Sequence, residues 1–306
     1  MAIPVPGDTI DPHAHQIEHQ LITASLELEK LDENLFRSPT KSLWVPARGR
    51  GVFGGQVISQ ALLAASKTVR DDLHCHSLHC YFLLNANPSI PILYYVDRVR
   101  EGRSYATRGV KAVQKGRSVF AMMVSFSRLE PEGPVDILQR RADAVSDLDR
   151  KAYLLRIKQD RINSPIEIRI AIHGEGTDKH TPAMYWMRAR SIPKFDAPFQ
   201  KCILAYISDL NFLHSVTRAV LSNPANSNFQ GMGMMASLDH SLWFYDHEFD
   251  CSEWVLFVMG SPRAGLGRGV VQGVFYDQSG KLIAVAAQEG VARGVLKRSE
   301  SDKPKL

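Results

Sequence analysis

The alternation of apolar and polar residues predicts an antiparallel sheet in the first half of the chain. Four short segments are rich in β-branched and aromatic residues and are separated by Gly or Pro, as the strands of a meander are. They are LHCHSLHCYFL, ILYYVDRV, YATRGVKAVQ and SVFAMMVSFS. Upstream, GGQVISQALLAASKTV has small or apolar residues at helical spacing and on nearly every side. This pattern predicts a helix enclosed by the sheet.

A second copy of this unit is predicted later in the chain. The tripeptide HSL occurs at His76–Leu78 and at His240–Leu242. Each copy is followed in the same order by a Gly, an Arg-Gly-Val, a second glycine turn and an apolar strand. Agreement over about fifty residues indicates a duplication. We predict that the first unit begins with the strand ASLELEKL and the second with SPIEIRI, and that SDLNFLHSVTRAVL is the enclosed helix of the second unit.

The segment HCHSLHC raises the question of a metal site. Alternation along a strand predicts that His74, His76 and Cys80 lie on one face and Cys75 and His79 on the other. A tetrahedral zinc site needs convergent ligands, usually paired by a tight turn. The second copy has aromatic residues in place of the last His and Cys. We therefore predict that these residues are scaffold and that the protein has no metal site.

Composition narrows the class of protein. The chain is 44% apolar and 23% charged, which is typical of a globular protein with a sizeable core. Its net charge of +5 is spread along the chain, and it suits a phosphate-bearing small molecule better than nucleic acid. The four cysteines show no disulfide framework, which predicts reduced thiols in an intracellular protein. No signal peptide or membrane-spanning run is visible, so we predict no membrane span.

Shifts in composition divide the chain into predicted segments. The charged stretch 130–163, punctuated by Pro, is predicted to be a linker between two domains. The N-terminal domain is predicted at 21–129 and the C-terminal domain at 164–297. A disordered N-terminus at 1–20 and a basic tail at 298–306 flank them.

The last three residues resemble a targeting signal. Pro304, Lys305 and Leu306 differ at one position from a terminal Ser-Lys-Leu, which is a peroxisomal address read by an import receptor. This predicts a peroxisomal location with the import receptor as a partner. The alternative is an ordinary basic tail on a cytoplasmic protein.

Five stretches together resemble the type II acyl-CoA thioesterases, the bacterial and peroxisomal double-hotdog enzymes. They are LWVPARGRGVFGGQVISQALLAASKTV, HSLHCYFL, YISDLNFL, SLDHSLWF and AAQEGV, and the resemblance covers about Leu26 to Val295. It implies an α+β fold of two fused hotdog units, each a curved antiparallel sheet wrapped around a long helix. It also implies hydrolysis of fatty acyl-CoA to free fatty acid and coenzyme A, with no cofactor beyond the coenzyme A of the substrate. Because hotdog sheets generally pair across subunits, a homo-oligomer is expected.

The resemblance also implies a catalytic set. Carried over by motif, the acid is Asp209, the hydroxyl is Ser237, where many relatives have Thr, and the amide is Gln288. Asp209 is expected where a strand gives way to a helix, and a desolvated carboxylate there can take a proton from water. We expect the helix start at Gly54 and Gly55 to offer backbone N–H groups to the oxyanion.

Other functions remain as alternatives. Asp209, Asn211 and His214 have the D-x-N-x-x-H spacing of hotdog enoyl-CoA hydratases, although Phe212 stands where that family has Pro. A hotdog protein that binds acyl-CoA without hydrolysing it is a second alternative. The segment GRGVFG matches G-x-G-x-x-G but is not part of a βαβ unit, and no G-x-S-x-G elbow is present. Dinucleotide binding and a serine nucleophile are therefore disfavoured.

Overall fold

The computed structural model describes most of the two predicted domains. The described residues are 21–39, 41–46, 49–129, 164–171, 182–190, 192–222 and 229–296. The predicted disordered N-terminus, the linker and the basic tail lie outside the described residues, so these predictions stay untested. No helix within the described ranges is long and apolar enough to cross a membrane.

The first unit contains the predicted helix and strands. Its central helix begins at the Gly-Gly pair, and the four predicted strand segments each form a strand. The segment ASLELEKL is only partly a strand, because its first residues end a short helix. The elements are α1 (Ile22–Leu26), β1 (Glu29–Asp32), β2 (Leu35–Arg37), α2 (Gly54–Ser66), β3 (His74–Phe82), β4 (Leu93–Glu101), β5 (Tyr105–Gln114) and β6 (Arg117–Ser127).

The second unit repeats this plan, but the position predicted for its enclosed helix is wrong. The helix that packs against α2 is α3, which ends at Ser208, and a separate helix follows it. The predicted strand SPIEIRI is confirmed. The elements are β7 (Ile166–Ile170), β8 (Ala183–Ala189), α3 (Ala197–Ser208), α4 (His214–Ser222), β9 (Phe229–Ser237), β10 (Asp239–Phe244), β11 (Val255–Gly265), β12 (Arg268–Tyr276) and β13 (Leu282–Leu296).

The two units share one continuous antiparallel sheet. Its strand order is β1-β2-β4-β5-β6-β3-β10-β13-β12-β11-β8-β7, and β9 pairs with β13 beside this path. Strands β4, β5 and β6 form the predicted meander, whereas β3 lies beyond β6 instead of beside β4. The units join where β3 pairs with β10, with Leu78 opposite Leu242. The two HSL copies therefore pair with each other at the centre of the molecule, and the predicted tandem hotdog is confirmed.

The faces predicted for the HCHSLHC segment are partly wrong. The register between β3 and β6 shifts between Cys75 and Ser77, and this irregularity changes which side chains face the core. Cys75 and Cys80 are both buried, His79 is exposed, and His76 is only partly buried. A strict alternation would have placed Cys80 with His76.

The helices α2 and α3 pack directly against each other inside the curved sheet. Ala61, Ala64 and Ala65 are fully buried on α2, and such small side chains let another element approach closely. The hydroxyl of Ser59 lies 2.8 Å from the carbonyl oxygen of Cys202 on α3. This packing brings the first turn of α2 to the last turn of α3. The functional site lies at that junction.

Candidate active site

Asp209 caps the C-terminus of α3, not the start of a helix as predicted. The N-cap of α3 is Asp196, whose side chain accepts a hydrogen bond from the backbone N–H of Phe199 at 3.1 Å. Its residues from Gln200 to Ser208 are all buried, so the segment lacks the alternation of a surface helix and was mistaken for a strand. Asn211 then adopts a left-handed conformation with φ of 60°, which ends the helix and turns the chain.

Ser237 and Gln288 reach Asp209 from two paired strands. Strand β9 ends at Ser237, which lies opposite Gly290 of β13. Gln288 on the same strand is 1% exposed, and its Nε2 donates to Oδ1 of Asp209 at 3.1 Å. The same Nε2 also donates to Oγ of Ser237. The structure therefore places the three predicted residues around one point, although they come from three separate elements.

The surroundings of Asp209 favour the neutral, protonated form of its carboxyl group. Burial raises the pKa of Asp209 to about 7, and hydrogen bonds from Gln288 and from the backbone N–H of Gly55 partly oppose this rise. The residue keeps a partly accessible surface, but protein atoms crowd around the carboxyl group. The negative end of the α3 dipole also disfavours a carboxylate at this position. A base with a pKa near 7 can both take and return a proton at neutral pH.

Gly54 and Gly55 bring the N-terminus of α2 against Asp209. A Cβ atom on Gly54 would lie 2.7 Å from Oδ2 of Asp209 and 2.9 Å from the ring of Phe82. A Cβ atom on Gly55 would lie 2.6 Å from the carbonyl oxygen of Tyr206. Both positions therefore need glycine. In this structure the N–H of Gly55 is bonded to the Asp209 carboxylate, so its predicted role towards an oxyanion stays a prediction.

A histidine that sequence reasoning assigned to the scaffold also contacts the site. Nδ1 of His240 lies 3.2 Å from Oε1 of Gln288, and its Nε2 lies 2.9 Å from Oγ of Ser208. Its signal in the sequence was the second HSL tripeptide, which we interpreted only as a mark of duplication. The contact joins His240 to Gln288, which lie far apart in the chain, so no short sequence motif could have predicted it.

Two other carboxylates near the site in sequence have structural roles. Oδ1 of Asp239 accepts a hydrogen bond from the backbone N–H of Glu289 at 2.7 Å. The side chain of Glu289 forms an ion pair with Arg268 at 3.2 Å. His214, the second residue of the hydratase alternative, begins α4 and is exposed. No group of three His, Cys, Asp or Glu side chains within the described ranges is arranged to hold a metal ion.

Within its described residues, the first unit lacks an equivalent catalytic set. Leu78 pairs with Val124 of β6 as Leu242 pairs with Ala286 of β13, so Phe126, two residues further along β6, corresponds to Gln288. Lys67 caps the C-terminus of α2 in the way that Asp209 caps α3. Among the described residues, the acid and the amide of the candidate site are therefore both supplied by the second unit.

A doubled hotdog sheet with an acid, a hydroxyl and an amide at its helix junction defines a hotdog hydrolase. Comparison with known proteins narrows this class. A family model described as acyl-CoA thioesterase C-terminal domain matches residues 139–292, and one described as acyl-CoA thioesterase N-terminal domain matches residues 41–127. The chain belongs to the type II acyl-CoA thioesterase family.

Individual relatives agree with this family over nearly the whole chain. Acyl-coenzyme A thioesterase 8 of Mus musculus is 39% identical over 303 residues, covering 92% of this chain and 91% of the relative. Peroxisomal acyl-coenzyme A thioester hydrolase 1 of Saccharomyces cerevisiae is 24% identical over 336 residues, covering 87% and 94%. The crystal structure of acyl-CoA thioesterase II from Mycobacterium marinum has a TM-score of 0.70 and 32% identity, covering 90% and 98%. The protein is an acyl-CoA thioester hydrolase, and neither alternative function is favoured.

Proposed function

We propose that Asp209, Ser237 and Gln288 activate a single water molecule for attack on the thioester carbonyl carbon. The observation that carries this proposal is the position of Gln288 Nε2, which is bonded to both the acid and the hydroxyl. Groups held in this way surround one small volume. A water molecule there has an acceptor in the carboxylate and a partner in the hydroxyl, so its approach is fixed by geometry.

In the proposed reaction, Asp209 acts first as the base and then as the acid. Asp209 takes a proton from the water as the water oxygen bonds to the carbonyl carbon. The carbon–sulfur bond then breaks, and the departing sulfur of coenzyme A receives the proton from Asp209. The products are the free fatty acid and coenzyme A, and the carboxylate is restored. A pKa of about 7 suits both transfers, because neither protonation state is strongly favoured at neutral pH.

The N-terminus of α2 is the proposed place for the negative charge that develops on the carbonyl oxygen. The first N–H groups of a helix have no partner within that helix, and the helix dipole is positive at this end. Gly54 and Gly55 have no side chains to block the approach of a substrate. When Asp209 is protonated during the reaction, its demand on the Gly55 N–H weakens. We propose that this N–H then serves the oxyanion.

Release of free thiol from acyl-CoA tests the assignment of these residues. Gln288→Leu removes both hydrogen bonds that Nε2 donates, to Asp209 and to Ser237, and we expect kcat to fall by about 10²-fold or more. Gln272→Leu is the matched control, because Gln272 is an exposed glutamine on the neighbouring strand β12. Near-normal turnover by a folded Gln288→Leu protein would contradict the assignment.

We propose that the protein is imported into peroxisomes. The terminal Pro304-Lys305-Leu306 is close to the peroxisomal address, and the relative from Saccharomyces cerevisiae is named as peroxisomal. A fluorescent protein carrying the last twelve or so residues is expected to form peroxisomal puncta. Removal of the three terminal residues is the control. A diffuse signal from the complete tail would refute the import proposal.

We also propose that the chain forms a homo-oligomer. Tyr81 and Met123 are large apolar side chains exposed on the paired strands β3 and β6 of the first unit, and Tyr95 is exposed on β4, on the far side of β5. Exposed apolar side chains on neighbouring strands are typical of a surface that binds another protein. Light scattering is expected to give a multiple of 34.2 kDa, and a purely monomeric mass at micromolar concentration would refute the proposal.

A further inference from the structure

His240 is a buried residue that the proposed mechanism does not use. It lies on β10 with 0% of its surface exposed, and the ring of Phe212 packs edge-on against it at 5.7 Å. Burial lowers the pKa of His240 to about 4, so the imidazole is neutral at working pH. A neutral imidazole carries one hydrogen, so one ring nitrogen donates and the other accepts.

The chemistry of its neighbours decides which nitrogen donates. Nε2 of Gln288 faces Asp209 and Ser237, so Oε1 of the amide faces His240. An amide oxygen can only accept, and Nδ1 of His240 must therefore carry the hydrogen. Nε2 of His240 then faces the hydroxyl of Ser208 at 2.9 Å, and this hydroxyl also lies 2.9 Å from the carbonyl oxygen of Ala205, so its one hydrogen is shared between two acceptors. From His240 to Asp209 the donors run in one direction.

The opposite orientation of Gln288 would place its oxygen beside the carboxylate. With Asp209 ionised, as the mechanism requires of the base, two acceptors would then face each other, and the amide nitrogen would point at His240. The N–H of His240 opposes this flip, because it needs an acceptor and Oε1 of Gln288 provides one at 3.2 Å. A buried donor left without a partner costs more than an ordinary hydrogen bond contributes.

We propose that His240 is a positioning residue that holds the Gln288 amide with its nitrogen towards Asp209 and Ser237. It acts through Gln288 and does not touch the reacting atoms, and the proposal rests on the function proposed for this site. Among its described residues, the first unit has a histidine at the equivalent position but no amide for that histidine to hold. His76, the equivalent histidine, has its Nε2 2.8 Å from the hydroxyl of Ser125, and Phe126 stands in the place of Gln288.

Three substitutions of His240 separate its two hydrogen bonds. His240→Asn keeps an N–H close to the position of Nδ1, His240→Gln keeps a polar group close to Nε2, and His240→Leu keeps neither. We expect kcat to fall about tenfold or more in the Leu and Gln variants, the equivalent of one lost hydrogen bond. KM is expected to stay nearly constant. His240→Asn is expected to recover most of the lost kcat.

The pH profile adds a result that simple loss of packing would not give. The Gln288 hydrogen bond lowers the pKa of Asp209, so its loss or reversal raises that pKa. The acid limb of kcat/KM is therefore expected to move to higher pH in His240→Leu and to stay in place in His240→Asn. The thiol of Cys80 contacts the backbone carbonyl oxygen of His240; burial holds its pKa well above the usual value, so it stays neutral across this range.

A double-mutant cycle separates failure of this inference from failure of the site itself. Added to Gln288→Leu, the substitution His240→Leu is expected to lower kcat by less than twofold, because the residue it positions is already gone. Equal losses in both backgrounds, or a His240→Asn protein no better than His240→Leu at the same melting temperature, would overturn the role of His240. If Gln288→Leu alone leaves kcat unchanged, the result contradicts the proposed catalytic site and not the role of His240.

Discussion

Replacement of the catalytic acid is expected to stabilise the protein while removing its activity. The pKa of Asp209 is about 7 in the folded chain, against 3.8 for an ordinary aspartate. The folded state therefore binds this proton more tightly than the unfolded state does, and the group lowers stability as pH rises from 3.8 towards 7. At about 1.36 kcal/mol per pKa unit, the full window corresponds to on the order of 4 kcal/mol.

Asp209→Asn removes this cost because asparagine does not ionise. The gain will be smaller than the full amount, since one carboxylate oxygen is exchanged for an N–H donor and either Gln288 or Gly55 loses its acceptor. A lost hydrogen bond of this kind costs about 1–3 kcal/mol. We expect a net stabilisation of roughly 1–2 kcal/mol at pH 8, or a rise of a few degrees in melting temperature. Turnover is expected to fall by about 10²–10⁴-fold.

Thermal unfolding at pH 5 and pH 8, with the activity assay beside it, tests this reasoning. The difference in melting temperature between Asp209→Asn and the parent protein is expected to be larger at pH 8, where the parent carboxylate is charged. Asp239→Asn is the matched control, because it makes the same side-chain change at a carboxylate that accepts a hydrogen bond from the backbone N–H of Glu289 instead of one from Gln288. An equal difference at both pH values would refute the raised pKa, and near-normal turnover would refute the catalytic role.

Three further results are expected. The kcat/KM of the parent enzyme is expected to rise with pH and reach half its maximum near the Asp209 pKa of about 7, and a flat profile from pH 5 to 8 would contradict a titrating base. Ser237→Thr keeps the hydroxyl and is expected to retain turnover within about threefold, whereas Ser237→Ala loses about tenfold or more; equal rates would exclude a role for the hydroxyl. Gly54→Ala places a methyl group 2.7 Å from Oδ2 of Asp209 and is expected to lower kcat more than tenfold, whereas Gly260→Ala on β11, with nothing within 4 Å, is not.

The parts of the fold that the sequence predicted are those with local signals. The duplicated HSL unit, the glycine start of α2 and the strands bounded by Gly or Pro could be recognised from short segments. Helix α3 could not, because every residue from Gln200 to Ser208 is buried and the helical period is hidden. The faces of β3 were assigned by strict alternation, and the shift between Cys75 and Ser77 broke that rule.

In the candidate site, too, some features could be predicted from the sequence and others could not. Asp209, Ser237 and Gln288 were identified through resemblance to a family, and their residue types alone would equally fit capping or strand positions. The sequence alone does not show that α2 packs on α3. This packing buries Asp209 and raises its pKa. The bond between His240 and Gln288 was missed because it joins neighbouring strands in space.

The pairing of β3 with β10 has a consequence for how the enzyme behaves on dilution. In a hotdog assembled from two separate chains, the junction of the helices exists only while the subunits stay together. Here both helices and both sheets belong to one polypeptide, and the tether keeps the partners at a fixed effective concentration. We therefore expect the helix junction, and with it the activity per chain, to survive dilution to roughly nanomolar protein.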